Sequence, residues 1–206
     1  MTLPNWNPDD YFVSFPDSYC EGSITGMPIY NKVGMVSRFI MEAILREVKS
    51  CINCDSELAA IILCLVLVDY LAGYYTGHQS QRIDFLGFME KYFPEKYSPY
   101  NERIYDQLRC GLLHNLAAVN PWKAHGKSFR IHSHLEKHLE EDFDEEGEWQ
   151  INFSVKIFEE DIRRAWLMYA HDIIMKSKEQ PNLAKNFHKR FNKLDGRGAL
   201  MVKTNA

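Results

Sequence analysis

From Val36 onward the chain sets apolar residues at helical intervals, with Phe39, Ile40, Ile44, Leu45 and Val48 returning to one face every few positions. Residues 1 to about 33 show no such period. There Pro4, Pro8, Pro16 and Pro28 interrupt a stretch rich in aromatics, which predicts an extended arm lying on the body through its rings. Asp55-Ser56 supplies a helix cap, and the apolar run behind it predicts a long buried helix to about Tyr75, ended by Gly77. A third helix takes Ile83, Phe85, Leu86, Phe88 and Met89 up to Pro94. A fourth starts near Asn101 and continues past His114 towards Ala118, where Pro121 forces a stop.

The period then changes from helical to alternating. Trp149, Ile151, Phe153, Val155 and Ile157 alternate with Gln150, Asn152, Ser154 and Lys156, the signature of a half-buried strand, and Ser128 to Ser133 is its expected partner. Between them, Glu136 to Glu148 holds eight acidic residues and one lysine, which predicts a solvated loop that would repel RNA. Helical spacing resumes at Phe158, Ile162, Ala165, Trp166, Tyr169 and Ile173. Pro181 opens a last amphipathic helix with Leu183, Phe187, Phe191 and Leu194, closed by Asp195-Gly196. The expected fold is therefore mainly α: a single domain over residues 1–206 with an arm (1–33), a small antiparallel β-hairpin insertion (122–158) and C-terminal helices (159–195). No internal repeat or linker divides it.

Charge narrows the functional classes. With 28 acidic residues against 24 basic ones, the whole chain has no general pull towards nucleic acid, so any such site is a local patch. The last helix offers one, because Lys185, Lys189, Arg190 and Lys193 are followed by Arg197 and Lys203 and opposed only by Asp195. They are expected to track RNA phosphates, the alternative being an ordinary solvated helix face. The five cysteines are odd in number, and Asn5, Asn7, Asp9 and Asp10 interrupt any leader-like start, so a cytoplasmic setting is expected. Leu58 to Val68 is shorter than the roughly 20 residues of a membrane span and runs into Asp69, so no membrane is expected. Cys51-Ile-Asn-Cys54 is half a zinc site without a second half. His125, His132, His134 and His138 gather around the insertion with no cysteine beside them, so no metal is assigned. No phosphate-binding glycine loop, serine elbow or dinucleotide fingerprint is present, and no cofactor is expected.

The chemistry concentrates in Tyr105-Asp-Gln-Leu-Arg-Cys-Gly-Leu-Leu-His-Asn115. At about 100° per residue, Arg109 and His114 point about 140° apart and serve different neighbours. The apolar set Ile104, Tyr105, Leu108, Leu112 and Leu116 places Arg109 on the border of the core-facing stripe, where an arginine needs a carboxylate. Asp69, the only charge between Leu58 and Tyr75, is the expected partner, and Asp106, one turn back, is its competitor. His114 lies with the small residues Cys110, Gly111, Ala117 and Ala118, a surface suited to the same helix of a second subunit. A structural Arg109–Asp69 pair with His114 as an interface residue is the plain alternative.

Leu-Arg109-Cys-Gly-Leu-Leu-His114, after the apolar helix with Asp69 and the Phe-Met-Glu-Lys-Tyr-Phe-Pro94 segment, resembles the HEPN superfamily of helical domains over about Val36 to Ile174. The resemblance implies an Arg-x4-His motif of metal-independent endoribonucleases and related toxins and defence proteins, working as homodimers whose motifs share a cleft. It assigns Arg109 and His114 as the catalytic pair, with Asp69 in support; Asp106, from its place one turn back, is the second supporting residue expected. It also implies an RNA substrate and a partner such as a cognate antitoxin or another defence-system protein. The roles suit the residue types: a histidine near neutral pKa moves protons at the 2′-hydroxyl and the leaving oxygen, and an arginine stabilises phosphorane charge. A non-catalytic nucleotide-binding or interaction module is the alternative. Cys110 favours it, standing where active members often carry a polar residue such as asparagine.

Overall fold

The computed structural model describes residues 27–115, 128–132, 136–143, 147 and 149–194. Helix α1 (Ile29–Arg38) passes through a π-helical segment (Phe39–Ile44) into α2 (Leu45–Asn53), and the Leu45 N–H reaches back five residues to the Ile40 carbonyl. The helix thus begins before Val36: residues 29–33, expected in the arm, form its opening turns behind Pro28. Val33 and Val36 lie on its buried side together with Lys32, Gly34 and Ser37, and these polar and small residues hide the apolar period. The rest of the expected arm, residues 1–26, lies outside the described residues.

The long apolar helix α3 (Glu57–Thr76) is the axis of the domain. Apolar on every side, it must be enclosed on most of them, and α2, α4, α7 and α8 pack round it. Ala60, Ile61, Cys64, Leu65, Val68, Leu71 and Ala72 have no solvent exposure. By length and composition α3 could cross a membrane, yet more than half of it is buried inside the protein. Gly77, at φ 78°, ends it in the left-handed conformation that glycine adopts without strain.

A reciprocal capping box opens α4 (Arg82–Tyr92), the Gln81 N–H donating to Asp84 Oδ2 at 2.9 Å. After a 3₁₀ turn (Glu95–Tyr100) come α5 (Asn101–Arg103), a second π-helical segment (Ile104–Cys110) and α6 (Gly111–Asn115). The expected fourth helix is therefore one continuous run with an irregular middle. Its expected end, towards Ala118, lies outside the described residues.

The insertion differs from the expected hairpin. Strands β1 (Ser128–His132), β2 (Glu140–Phe143) and β3 (Trp149–Ser154) form a sheet of order β1-β3-β2. β1 pairs parallel to β3, with Phe129 opposite Ile151, and the antiparallel partner is β2, drawn from the acidic run expected to be a loop. Alternation predicts a strand but not the direction of its partner, and the charges of β2 were compatible with an exposed edge. β3 also ends early. The Ser154 hydroxyl accepts the Ile157 N–H and caps α7 (Val155–Met175), so Val155 and Ile157 belong to that helix and the expected boundary at 159 moves to 155.

Helix α8 (Pro181–Leu194) spans the expected range. Trp166 and Tyr169 of α7, Phe187 and Phe191 of α8, and Phe85 and Phe88 of α4 are fully buried with α3 in one continuous core.

Candidate functional site

Asp69 meets its expected partner. Its carboxylate is mostly covered, and Oδ2 accepts a hydrogen bond from Arg109 Nε at 2.8 Å. The second oxygen, Oδ1, is buried and has no hydrogen-bond partner among the described residues. Burial opposes the Arg109 charge, but the hydrogen bond and charge of Asp69 outweigh it and hold the guanidinium's pKa above its ordinary value. The guanidinium carbon stands 5.2 Å from the centre of the Tyr105 ring, and Nη1 lies 3.9 Å from Cys110 Sγ.

The backbone around this pair departs from the spacing assumed for a regular helix. Arg109 and Cys110 lie in the second π-helical segment, where each residue turns less about the axis than in an α-helix. The separation of about 140° between Arg109 and His114 assumes a regular helix, and the interval is regular only from Gly111 onward. His114 follows in α6, five residues on. Of the small-residue face expected to pack on a second subunit, Cys110 is half-buried and Gly111 buried, while Ala117 and Ala118 lie outside the described residues.

Asp106 does not compete for Arg109. It binds Arg82 through both oxygens, Nε to Oδ1 and Nη2 to Oδ2, each at 3.2 Å, with Glu102 at 3.5 Å from the same guanidinium. Arg82 in turn lies 5.9 Å from the Tyr105 ring centre. Tyr105 thus carries two guanidiniums, one tied to Asp69 and the other to Asp106. Sequence reading missed this stack, since it depends on α4 crossing the π-helical segment.

The basic face of α8 divides. Lys185, Lys189 and Lys193 are exposed at four-residue intervals, whereas Arg190 is half-buried and its Nε is enclosed against α3. The signal was present in the spacing, because Arg190 follows the core residue Phe187 by three positions and so leans towards the packed side.

Of the insertion's histidines, His138 is the one whose hydrogen bonds are fully defined. His138 accepts the Ser154 N–H at Nδ1 (3.0 Å), so the neutral ring carries its proton on Nε2 and donates to the Tyr97 hydroxyl at 2.7 Å. Tyr97 passes the chain on to Asp161 Oδ2 at 2.9 Å, which Lys96 holds at 2.8 Å. Burial, and secondarily the Lys96 charge, push the His138 pKa down to about 3. With both nitrogens committed, His138 offers no metal a lone pair. His132 sits on β1, and His125 and His134 lie outside the described residues. Among the described residues no group of histidine, cysteine and carboxylate side chains could hold a metal.

Compared with family models, with curated proteins and with solved structures, the chain matches none. Function therefore rests on the residues themselves.

Proposed function

We propose that this chain is a metal-independent endoribonuclease-like domain of HEPN type, acting as a homodimer through the helix that carries Arg109 and His114. One observation carries the reading: in a π-helical turn five residues before His114, the Arg109 guanidinium is fixed through Nε by Asp69 and steadied by the Tyr105 ring. Such irregular turns gather at functional sites, and a fixed guanidinium can meet developing charge with little reorganisation. In the reaction His114 takes the 2′-hydroxyl proton, the 2′-oxygen attacks phosphorus, and the bond to the 5′-oxygen breaks as that oxygen gains a proton. The products are a 2′,3′-cyclic phosphate and a free 5′-hydroxyl. Arg109 neutralises the phosphorane, and two motifs at the interface supply base and acid together. The setting that goes with this chemistry is cytoplasmic, in a toxin or defence system with a protein partner that restrains or recruits it.

A non-catalytic binding or interaction module is favoured by a specific observation: Asp69 already balances the Arg109 charge. The two readings separate when the purified dimer is incubated with total RNA in a metal chelator beside Arg109→Lys and His114→Ala variants of verified fold. Cleavage by the parent alone supports the nuclease, and intact RNA in every lane supports the binding module.

A further inference from the structure

Arg190 has a place in the fold that packing does not account for. α8 runs antiparallel to the C-terminal half of α3: Asn186 donates to the Tyr75 carbonyl and stands against Gly77, Phe187 packs on Tyr74, and Arg190 reaches Gly73. A Cβ at Gly73 would meet the His78 carbonyl oxygen at 2.9 Å, then Arg190 Nε at 3.2 Å and Nη2 at 3.4 Å, so the missing side chain admits both the chain returning after Gly77 and the guanidinium. Gly73 follows Asp69 by four residues, so the two share a face of α3 about 6 Å apart along its axis. Arg109 thus arrives on this face from the π-helical segment and Arg190 from α8.

Nothing described there balances Arg190. Its Nε is buried without a hydrogen-bond partner, and no carboxylate pairs with it among the described residues. Nor does it cap α3. Thr76 donates to the Ala72 carbonyl, the Gly77 N–H to that of Gly73, and Asn186 to that of Tyr75. A charged group with a desolvated, unmatched donor is costly and calls for an explanation. Asp69 is the one carboxylate of this face and already holds Arg109, so an anionic ligand is the missing complement.

We propose that Arg190 is a second phosphate-binding residue of the Arg109 site, holding the phosphate next to the one that reacts in a single RNA strand. The exposed Lys185, Lys189 and Lys193 stand outside that site. This assignment rests on the RNA reading above and adds a residue that the Arg109–His114 motif does not contain. An arginine suits the task because its planar fork engages two phosphate oxygens, which a lysine ammonium cannot do in the same way.

The test is binding of a single-stranded RNA oligonucleotide by the full chain, followed by fluorescence anisotropy over a range of salt in a metal chelator. Arg190→Met, which keeps an apolar stem against α3, is expected to weaken binding about tenfold and to lower the salt slope by about one. Arg190→Lys is expected to recover only part of the loss, and Lys185→Ala/Lys189→Ala/Lys193→Ala to change affinity less than threefold, roughly the effect of rim charges. Parental affinity in a folded Arg190→Met or Arg190→Lys protein, or an equal loss in the triple lysine variant, overturns the Arg190 assignment alone. A parent that neither binds nor cleaves RNA overturns the RNA reading and this assignment with it.

Discussion

Beneath the sheet, His138, Tyr97, Asp161 and Lys96 form a chain in which each hydrogen bond has a defined donor and acceptor, and both nitrogens of His138 are occupied. On α3, Asp69 uses one oxygen and, among the described residues, leaves the other buried and unmatched, while Arg190 buries an Nε with no acceptor among them. Both clusters mix charge with aromatic rings, but only the first is complete. A completed buried network fixes one arrangement of the chain, here the sheet against α7 and the 3₁₀ turn. An incomplete one at a π-helical turn breaks local rules that stability alone would enforce, which is where ligands are to be sought.

The largest effect is expected from cutting the complete network. His138→Ala strands the Ser154 N–H, removes the donor to the Tyr97 hydroxyl oxygen and opens a cavity beside Phe153, costing about 4 kcal/mol in urea denaturation. A loss below about 1 kcal/mol would remove the network from the account of stability.

Acid should reach the same group. The folded pKa of His138, about 3, lies below the ordinary value of 6.5, so its stabilisation is complete above about pH 6.5 and is lost as pH falls towards 3. Between pH 7 and pH 4 the parent should lose about 3 kcal/mol more than His138→Gln, an amide that cannot titrate. Parallel stability curves for the two proteins would contradict the assignment.

The incomplete cluster should cost less. Arg109→Met leaves the Asp69 carboxylate without its cation in an apolar helix, a loss of about 2 kcal/mol by thermal or urea melting. The double variant Asp69→Leu/Arg109→Met should recover most of it and yet show no RNA cleavage, which separates what the pair does for folding from the role proposed for it on RNA. The smallest effect is expected on the outer face of α8, where Lys185→Ala, Lys189→Ala and Lys193→Ala should each change stability by less than about 0.5 kcal/mol.

Much of this architecture was legible in apolar spacing. α3, α4, α7 and α8 fall close to their expected places because long amphipathic or fully apolar segments leave few alternatives. The direction of β1 and the recruitment of β2 were not legible, since strand alternation carries no information on the partner. At the candidate site, the Asp69–Arg109 pair followed from a lone charge in an apolar helix. The π-helical turn, the Arg82–Asp106 pair and the approach of Arg190 to Gly73 depend on helices meeting in space. The Tyr97–His138 bond, 41 residues apart in sequence, is hidden for the same reason.

The central claim is that the Arg109–His114 site cuts RNA through the 2′-hydroxyl. The most direct measurement mixes the purified protein, in a metal chelator, with a defined single-stranded RNA and with the same strand lacking one 2′-hydroxyl at the cleaved position. The account predicts scission of the first to a 2′,3′-cyclic phosphate and a 5′-hydroxyl, with no scission of the second at that position. A folded protein that leaves both intact, or cuts both equally, would contradict it.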